Sequence, residues 1–370
     1  MGALVPVAWG AIWQSQDWAL TGKLSGATGY DSNLTLARDG PGDMFVQARP
    51  ELSFLRRNSG TEFHVDTAIT ASEFINGRQP GQTDLLFSAT YGYPFAPDVF
   101  PLYRSIVAWQ RTSEPDQYLG QRVQHDRASI TGEGFVSLSG KLGLRGDVDA
   151  YVDEYEERTL NSNSRWRAFA GLAYEKRPGL QTSVNLGFAR GRSRPNGREL
   201  GAAPVRSNEF YFTGKFRGEI TPKITGNAYA GVGHVRYKGG YTNRYTLPVA
   251  GADLTWSVNP RRTVVLAAYS GADYAPDGQA VDTGRAFLSL TNVIVGSWQY
   301  TLRGGPTRTV FRREVKQSTD YSWEGGTEFA YAPSNRFRVG LGLMAGTHDS
   351  DVRERQYNRY VFTLDSSYRF

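Results

Sequence analysis

The carboxyl end of this 370-residue chain alternates between two kinds of side chain and finishes on an aromatic residue. Counting back in twos from Phe370 passes through Tyr368, Leu364, Phe362 and Tyr360, whereas the residues between them are mostly polar. A period of two belongs to a β-strand whose two faces meet different environments. An apolar face on the last strand of a chain predicts the closing strand of a transmembrane β-barrel.

Composition agrees with a barrel and excludes other membrane folds. No stretch approaches the roughly 18–20 consecutive apolar residues of a membrane helix. The mean hydropathy of −0.46 resembles that of a soluble protein, but alternating strands hide their lipid-facing half in such an average. Because the chain has no cysteine, a disulfide framework and a thiolate metal site are excluded.

The charge pattern argues against a nucleic-acid partner. The net charge is +6, yet acidic and basic residues are mixed through every segment, whereas nucleic-acid binders gather basic residues on one face. A mildly basic barrel is expected to favour anionic solutes, or to contact the anionic groups of outer-membrane lipid and lipopolysaccharide around its rim.

Turns and loops alternate along the chain. Eighteen strand candidates extend from residues 17–30 to residues 355–370, and their boundaries include 100–113, 165–177 and 284–296. Tight turns rich in Pro, Gly and Asn occur near residues 58–60, 139–141, 177–179, 221–223, 259–261 and 333–335. Longer polar connections lie between them, including 31–42, 193–205 and 276–282. The fold class predicted is all-β, a transmembrane antiparallel up-and-down barrel of about 18 strands, with short periplasmic turns and longer extracellular loops.

The domain prediction is a single barrel over residues 13–370. Residues 1–12 contain a short apolar run without a positively charged start. This segment is predicted to be either a signal-peptide remnant or a disordered tail.

Three features resemble a known family: Gly29-Tyr30-Asp31-Ser32-Asn33 at the end of the first strand, the X-Pro-Lys/Arg turns near 222 and 260, and the aromatic closing strand. The chain resembles the type 2 family of β-barrel porins from Gram-negative outer membranes. This resemblance implies an outer-membrane location and a channel, and for some members an association with exopolysaccharide export. Periplasmic polysaccharide-export proteins are therefore possible partners. No catalytic motif and no cofactor come with it.

The closing strand also resembles the signal that the bacterial barrel-assembly machinery recognises. The residues that carry this resemblance are Tyr360, Phe362, Leu364, Tyr368 and Phe370.

Strand parity places one set of charged residues inside the barrel, where they are candidates for a lining that selects solutes by charge. They are Asp66, Glu133, Asp147, Asp149, Arg165, Arg167, Lys215, Arg217, Glu324, Glu328, Arg336, Arg338, Asp365 and Arg369. The alternative is mutual neutralisation, for example of Asp149 and Asp153 by Arg165 and Arg167. Parity also allows an inward aromatic track for stacking sugars, formed by Tyr151, Tyr211 and Tyr229.

The sequence leaves several functions open. The favoured one is a channel for passive passage of hydrophilic solutes or for export of a polysaccharide. A structural or adhesion barrel with a plugged lumen is the first alternative. A barrel hydrolase is the second, since His64 shares a face with Asp66 and His348 precedes an Asp. No metal site is expected, because no paired His spacing is present.

Overall fold

The computed structural model describes residues 11–58, 60–93, 102–116, 119, 121–157, 159–177, 179–196, 204–239, 244–294, 296–312 and 318–370. The strands are β1 (Ala11–Gln14), β2 (Trp18–Asp31), β3 (Asp43–Asn58), β4 (Thr61–Phe74), β5 (Gln82–Tyr93), β6 (Tyr103–Asp116), β7 (Gln121–Ser139), β8 (Leu142–Tyr155), β9 (Asn161–Arg177), β10 (Leu180–Pro195), β11 (Val205–Thr221), β12 (Ile224–Lys238), β13 (Arg244–Asn259), β14 (Arg262–Tyr274), β15 (Ala280–Val293), β16 (Trp298–Phe311), β17 (Ser318–Tyr331), β18 (Phe337–Ser350) and β19 (Tyr357–Arg369). A single turn of 3₁₀ helix, Arg353–Arg355, precedes β19.

Strands β2 to β19 form a closed antiparallel barrel of eighteen strands, which confirms the predicted fold class. Each strand pairs with its neighbour in the chain, and β19 closes the cylinder on β2 from Val361 opposite Asp31 to Arg369 opposite Lys23. Closure removes the unpaired strand edges that would otherwise expose backbone groups to lipid.

The short strand β1 was not predicted from the sequence. Strand β19 pairs with β2 only from Lys23 onward, and β1 pairs with the preceding part of β2, with Gln14 opposite Ala19. It therefore satisfies backbone groups that the closing strand does not reach. The predicted tail over residues 1–12 falls almost wholly outside the described residues, so the division into domains stays a prediction.

The outward face of the barrel is apolar. Leu186 is 68% exposed and Leu343 is 52% exposed, and the five aromatic and aliphatic residues of the closing strand are exposed in the same way. Such a surface is stable only against hydrocarbon. Tyr321 and Tyr331 lie on the outward face of β17, ten residues apart. At about 3.3 Å per residue and a tilt of about 40°, they span the apolar band of about 25 Å that such barrels show.

The protein is an outer-membrane β-barrel. An even strand number and short turns at the end where β2 begins and β19 ends are features of bacterial outer-membrane barrels. Among the described residues, no helix is long and apolar enough to cross a bilayer.

Most strand ends lie within two residues of the sequence prediction, and the larger differences include those of β6, β9 and β15. The candidate at 100–113 is β6, Tyr103–Asp116, and the candidate at 165–177 is β9, which begins at Asn161. The candidate at 284–296 is β15, which begins at Ala280 because Ala280 pairs with Tyr274 across a short connection. Gly278 gives that connection its positive φ of 81°, and the Asp277 carboxylate accepts the backbone N–H of Gln279 at 3.1 Å.

Candidate functional site in the lumen

The predicted lumen charges lie on inward-facing strand positions, with one exception. Glu133 faces Asp147 across β7 and β8, and Asp149 faces Arg167 across β8 and β9. The exception is Arg336, which precedes β18 in the periplasmic turn. The structure therefore places these side chains on the inner face, and their role in selecting solutes remains a proposal.

Four of these inward charges, together with Arg145, form a group that we call the charge bridge: Glu133, Arg145, Asp147, Lys215 and Arg217. Arg145 Nη2 lies 3.0 Å from Glu133 Oε2 and 2.9 Å from Asp147 Oδ1. From β11, Lys215 Nζ lies 3.4 Å from Asp147 Oδ2, and Arg217 pairs with Glu133. The bridge therefore joins β7 and β8 to β11 across the inner wall.

Small residues on the two intervening strands make the charge bridge possible. Gly171 of β9 and Gly187 of β10 point inward between the charged strands. A Cβ atom at Gly187 would lie 2.3 Å from the ring of Phe169, so the ring occupies the space that the missing side chain leaves. Larger side chains at these two positions would block the contacts from β8 to β11.

A hairpin folds into the lumen from the opposite wall. We call residues 271–281, the end of β14 and the start of β15 with their connection, the inner hairpin. Pairing of β14 with β13 ends at Ser270 opposite Ala250, whereas β13 continues to Arg244 alongside β12. Beyond Ser270, β14 therefore leaves the barrel wall.

The inner hairpin reaches β8 and β9 on the far side of four intervening strands. Tyr151 donates its hydroxyl hydrogen bond to Asp273 at 2.7 Å, and Arg165 donates to the carbonyl of Ala272 at 2.5 Å. The backbone N–H of Asn161 donates to the carbonyl of Pro276 at 2.9 Å. These contacts hold the hairpin across one side of the channel.

An apolar core inside the barrel supports the inner hairpin. Its residues come from the inner faces of β10 to β13 and from the hairpin, and they are Ala189, Val205, Tyr211, Val235, Tyr237, Leu247, Val249, Ala272, Tyr274 and Ala280. Full burial of an aliphatic or aromatic side chain contributes about 1.5–3 kcal/mol. This part of the lumen is therefore packed like a protein interior, and water is excluded from it.

Arg165 is the most deeply buried cation in this region. It is 4% exposed and its partner Glu209 is 1% exposed. The Arg165 guanidinium pairs with Glu209 and also donates to the hydroxyl of Tyr211 at 2.9 Å. Of the two carboxylates predicted to neutralise Arg165 and Arg167, Asp149 pairs with Arg167 at 2.9 Å, whereas Asp153 pairs with Arg127 at 2.6 Å.

An ion pair outside the membrane band ties the hairpin to the rim. Asp282 accepts hydrogen bonds from Tyr245 at 2.7 Å and from Nε of Arg312 at 2.8 Å. Burial lowers the pKa of Arg312, but the hydrogen bond and the charge of Asp282 outweigh burial and raise that pKa above its ordinary value. Arg312 therefore remains charged at neutral pH.

The β2–β3 connection, residues 32–42, lies against β7 at the extracellular mouth. Its Leu34 is fully buried, and its carbonyl accepts a hydrogen bond from Nε of Arg122 at 3.0 Å. Arg122 also donates to the carbonyl of Ser113 at 2.9 Å. This role of Arg122 was not predicted from the sequence, because Leu34 lies 88 residues away in the chain.

His64 and His348 form no catalytic relay with the residues that the structure describes. His64 Nε2 lies 2.8 Å from Ser53 Oγ and 3.1 Å from Asp66 Oδ1. In a Ser–His–Asp triad the hydroxyl and the carboxylate use different ring nitrogens, so contacts that share one nitrogen do not build the relay. His348 is buried and contacts Asp320 at 3.3 Å, beside the 3₁₀ turn. Within the described residues, no group of three ligands that could hold a metal ion occurs.

Comparison with known proteins gives matches only among solved structures. No model of a protein family matches the chain, and no curated protein does either. Among solved structures, the chain is similar to the outer membrane protein OpdK from Pseudomonas aeruginosa, with 12% identity, a TM-score of 0.45, and coverage of 95% of this chain and 98% of that one.

Two further solved structures show the same level of likeness. OccAB2 from Acinetobacter baumannii has 9% identity and a TM-score of 0.48, covering 95% of this chain and 98% of that one. The siderophore receptor PirA from Pseudomonas aeruginosa has 9% identity and a TM-score of 0.43, covering 95% of this chain and 80% of that one. At such values, the assignment of fold and location rests on the barrel itself, and membership of the type 2 family stays a prediction.

Proposed function

We propose that the protein is a passive channel for small hydrophilic solutes across the outer membrane. The observation that carries this proposal is a closed eighteen-strand barrel with a charged inner face and a lumen narrowed by an ordered hairpin. Barrels of this strand number enclose an aqueous channel that side chains alone do not fill. The hairpin limits the size of solutes, and the charged wall sets preference among those that fit.

The wall opposite the charge bridge also carries both signs of charge. Arg338 pairs with Asp365 at 2.6 Å and with Glu328, and Lys23 pairs with Glu51 at 3.0 Å. Opposed charges on facing walls polarise the water between them and orient dipolar solutes. We infer that the predicted lumen residues act in this way.

Other functions have less support. The inner hairpin favours a plugged scaffold as the second candidate, because its packed core fills part of the lumen. Export of a polysaccharide has no support in the comparisons and stays a prediction, as do contacts with lipopolysaccharide, with polysaccharide-export proteins and with the barrel-assembly machinery. The absence of enzymatic activity likewise stays a prediction.

Ion selectivity tests the channel and its lining together. An Arg217→Glu variant reverses one charge of the charge bridge, so the cation-to-anion permeability ratio should rise by a factor of about two to five. The ratio is measured from the reversal potential of single channels in a planar bilayer under a KCl gradient.

The matched control is Arg236→Glu, because Arg236 is exposed and lies at an outward position of β12. This control should leave the ratio unchanged. Absence of any stable conductance in the parent protein would contradict the channel and favour the plugged scaffold. If the parent protein conducts ions but Arg217→Glu leaves the cation-to-anion permeability ratio unchanged, only the proposed role of the charged lining is contradicted.

A further inference from the structure

A cavity of about 260 Å³ lies in the lumen between the inner hairpin and the charge bridge. Ser270 and Gly271, where β14 leaves the wall, bound one side of it, and Glu133 and Asp147 bound another. Pockets for small molecules usually measure about 300–1,000 Å³. This cavity therefore suits a ligand built on a single ring.

Aromatic rings form a large part of the cavity wall. They belong to Phe169, Tyr211, Tyr229 and Tyr269. The rings of Phe169 and Tyr211 lie 5.7 Å apart at an angle of 41°. A Cβ at Gly251 would lie 2.3 Å from the ring of Tyr229, so the absence of a side chain there lets this ring lie flat along the wall. Flat rings of this kind offer faces on which the C–H groups of a ring-shaped ligand can stack.

Polar groups of both kinds converge between the rings. Arg167 donates from Nε to both carboxylate oxygens of Asp149 at 2.9 Å. Asn185 also lines the cavity and is 3% exposed; its amide nitrogen donates to Ser183 at 3.1 Å. Its amide oxygen has no hydrogen-bond partner among the described residues. That oxygen is enclosed in the wall and lies over Gly171, 2.4 Å from the position that a Cβ atom there would take, so Asn185 contributes a polar amide to the packed wall of the cavity.

The charges around the cavity favour a neutral ligand. Each of the four cations around the cavity is already paired with a carboxylate. Arg145 and Arg217 pair with Glu133, Lys215 pairs with Asp147, and Arg167 pairs with Asp149. An anionic ligand would have to displace one of those carboxylates. A ligand with several hydroxyl groups can instead donate to the carboxylates and accept from the cations without changing the net charge.

We propose that this cavity binds a neutral sugar of monosaccharide size while it passes through the channel. Stacking on the tyrosine faces, hydroxyl contacts with Asp149 and Arg167, and the polar amide of Asn185 in the wall together match a pyranose. The inference rests on the proposed function and names its substrate class. Two members of the predicted inward aromatic track, Tyr211 and Tyr229, line this cavity. The third, Tyr151, instead donates its hydroxyl hydrogen bond to Asp273 of the inner hairpin.

Binding is tested directly on the detergent-solubilised barrel, without reference to transport. Saturation-transfer NMR and calorimetric titration with D-glucose, D-galactose and myo-inositol should show saturable binding for at least one pyranose, with a Kd on the order of 1 mM. Benzoate and D-glucuronate are the comparison ligands, and each should bind more weakly. Tyr229→Ala and Asn185→Leu should each weaken sugar binding by at least about fivefold, that is by about 1 kcal/mol or more.

The control is Tyr360→Ala, which removes an exposed aromatic ring from the outward face and should leave binding unchanged. Retention of the folded barrel is checked by its heat-dependent mobility in gels, and Asn185→Leu serves if Tyr229→Ala does not fold. The inference would be overturned if neither D-glucose nor D-galactose bound saturably, or if benzoate bound more tightly than these sugars. It would also be overturned if sugar binding were unchanged in a folded Tyr229→Ala or Asn185→Leu protein. A barrel that conducts ions without binding sugar would refute only this inference, whereas one that binds sugar without conducting would refute only the channel.

Discussion

Removal of the inner hairpin should raise the single-channel conductance roughly two- to threefold, because conductance follows the open cross-section of the lumen. The change is deletion of residues 273–279, with Ala272 joined to Ala280 through two glycines. The deleted segment includes Asp273 and Pro276, which contact β8 and β9 across the channel. The conductance is measured in planar bilayers, and the size limit for neutral solutes is measured by liposome swelling.

The control for this deletion shortens the exposed β4–β5 connection at residues 77–81, which belongs to another part of the rim. The control should leave conductance and size limit near the parent values. If deletion of the hairpin left both quantities unchanged in a folded barrel, the hairpin would not be the constriction.

Loss of the buried guanidinium at Arg165 should destabilise the inner hairpin severely. An Arg165→Met variant leaves Glu209 charged and buried without its partner, and removal of one member of a buried ion pair typically costs about 3–5 kcal/mol. It also removes the donor to the carbonyl of Ala272. The midpoint of urea unfolding in lipid vesicles should fall, and proteases should cleave the hairpin in the otherwise folded barrel.

A second variant separates charge burial from packing. In Arg165→Met/Glu209→Gln the unpaired charge is absent, so most of the lost stability should return. Arg111→Met is the matched single control, since Arg111 and its partner Asp126 are both much more exposed than Arg165 and Glu209. Equal destabilisation by Arg165→Met and Arg111→Met would show that the buried pair has no special role.

The barrel was predictable because its signals are local. The alternation at Tyr360, Phe362 and Leu364 requires only that neighbouring residues meet lipid and water in turn, and a pleated strand imposes that period wherever it lies. Turns such as Asn259-Pro260-Arg261 set strand ends to within a few residues, since Pro cannot continue the ladder. Parity then placed Asp147 and Arg217 inside without any knowledge of their partners.

The inner hairpin was not predicted, because its direction depends on contacts between distant parts of the chain. A polar connection at 276–282 reads like any extracellular loop, and only the meeting of Asp273 with Tyr151 reveals that it folds inward. One signal was present in the sequence. Ala272, Ala275, Ala280 and Val281 are small or apolar at a strand end where outer loops are usually polar, and all four are buried.

Ion partners were predicted less well than strand faces. The predicted set of two carboxylates and two arginines contains one observed pair, Asp149 with Arg167, which are direct cross-strand neighbours. Arg165 instead pairs with Glu209, and this partner lies two strands away on β11 and was not considered. Long side chains reach past the neighbouring strand when small residues lie between, as Gly171 and Gly187 do beneath the charge bridge.

Accessibility along one strand tests the orientation of the wall most directly. The chain has no cysteine, so single cysteines at positions 341 to 344 of β18 can each carry a nitroxide label in the barrel reconstituted into lipid vesicles. Collisions with oxygen should be frequent at 341 and 343, which face lipid, and collisions with a water-soluble nickel chelate should be frequent at 342 and 344, which face the lumen. Two accessibility profiles that alternate out of phase are the predicted result. Profiles that rise and fall together, or nickel accessibility equal at all four positions, would contradict a wall with lipid on one side and water on the other.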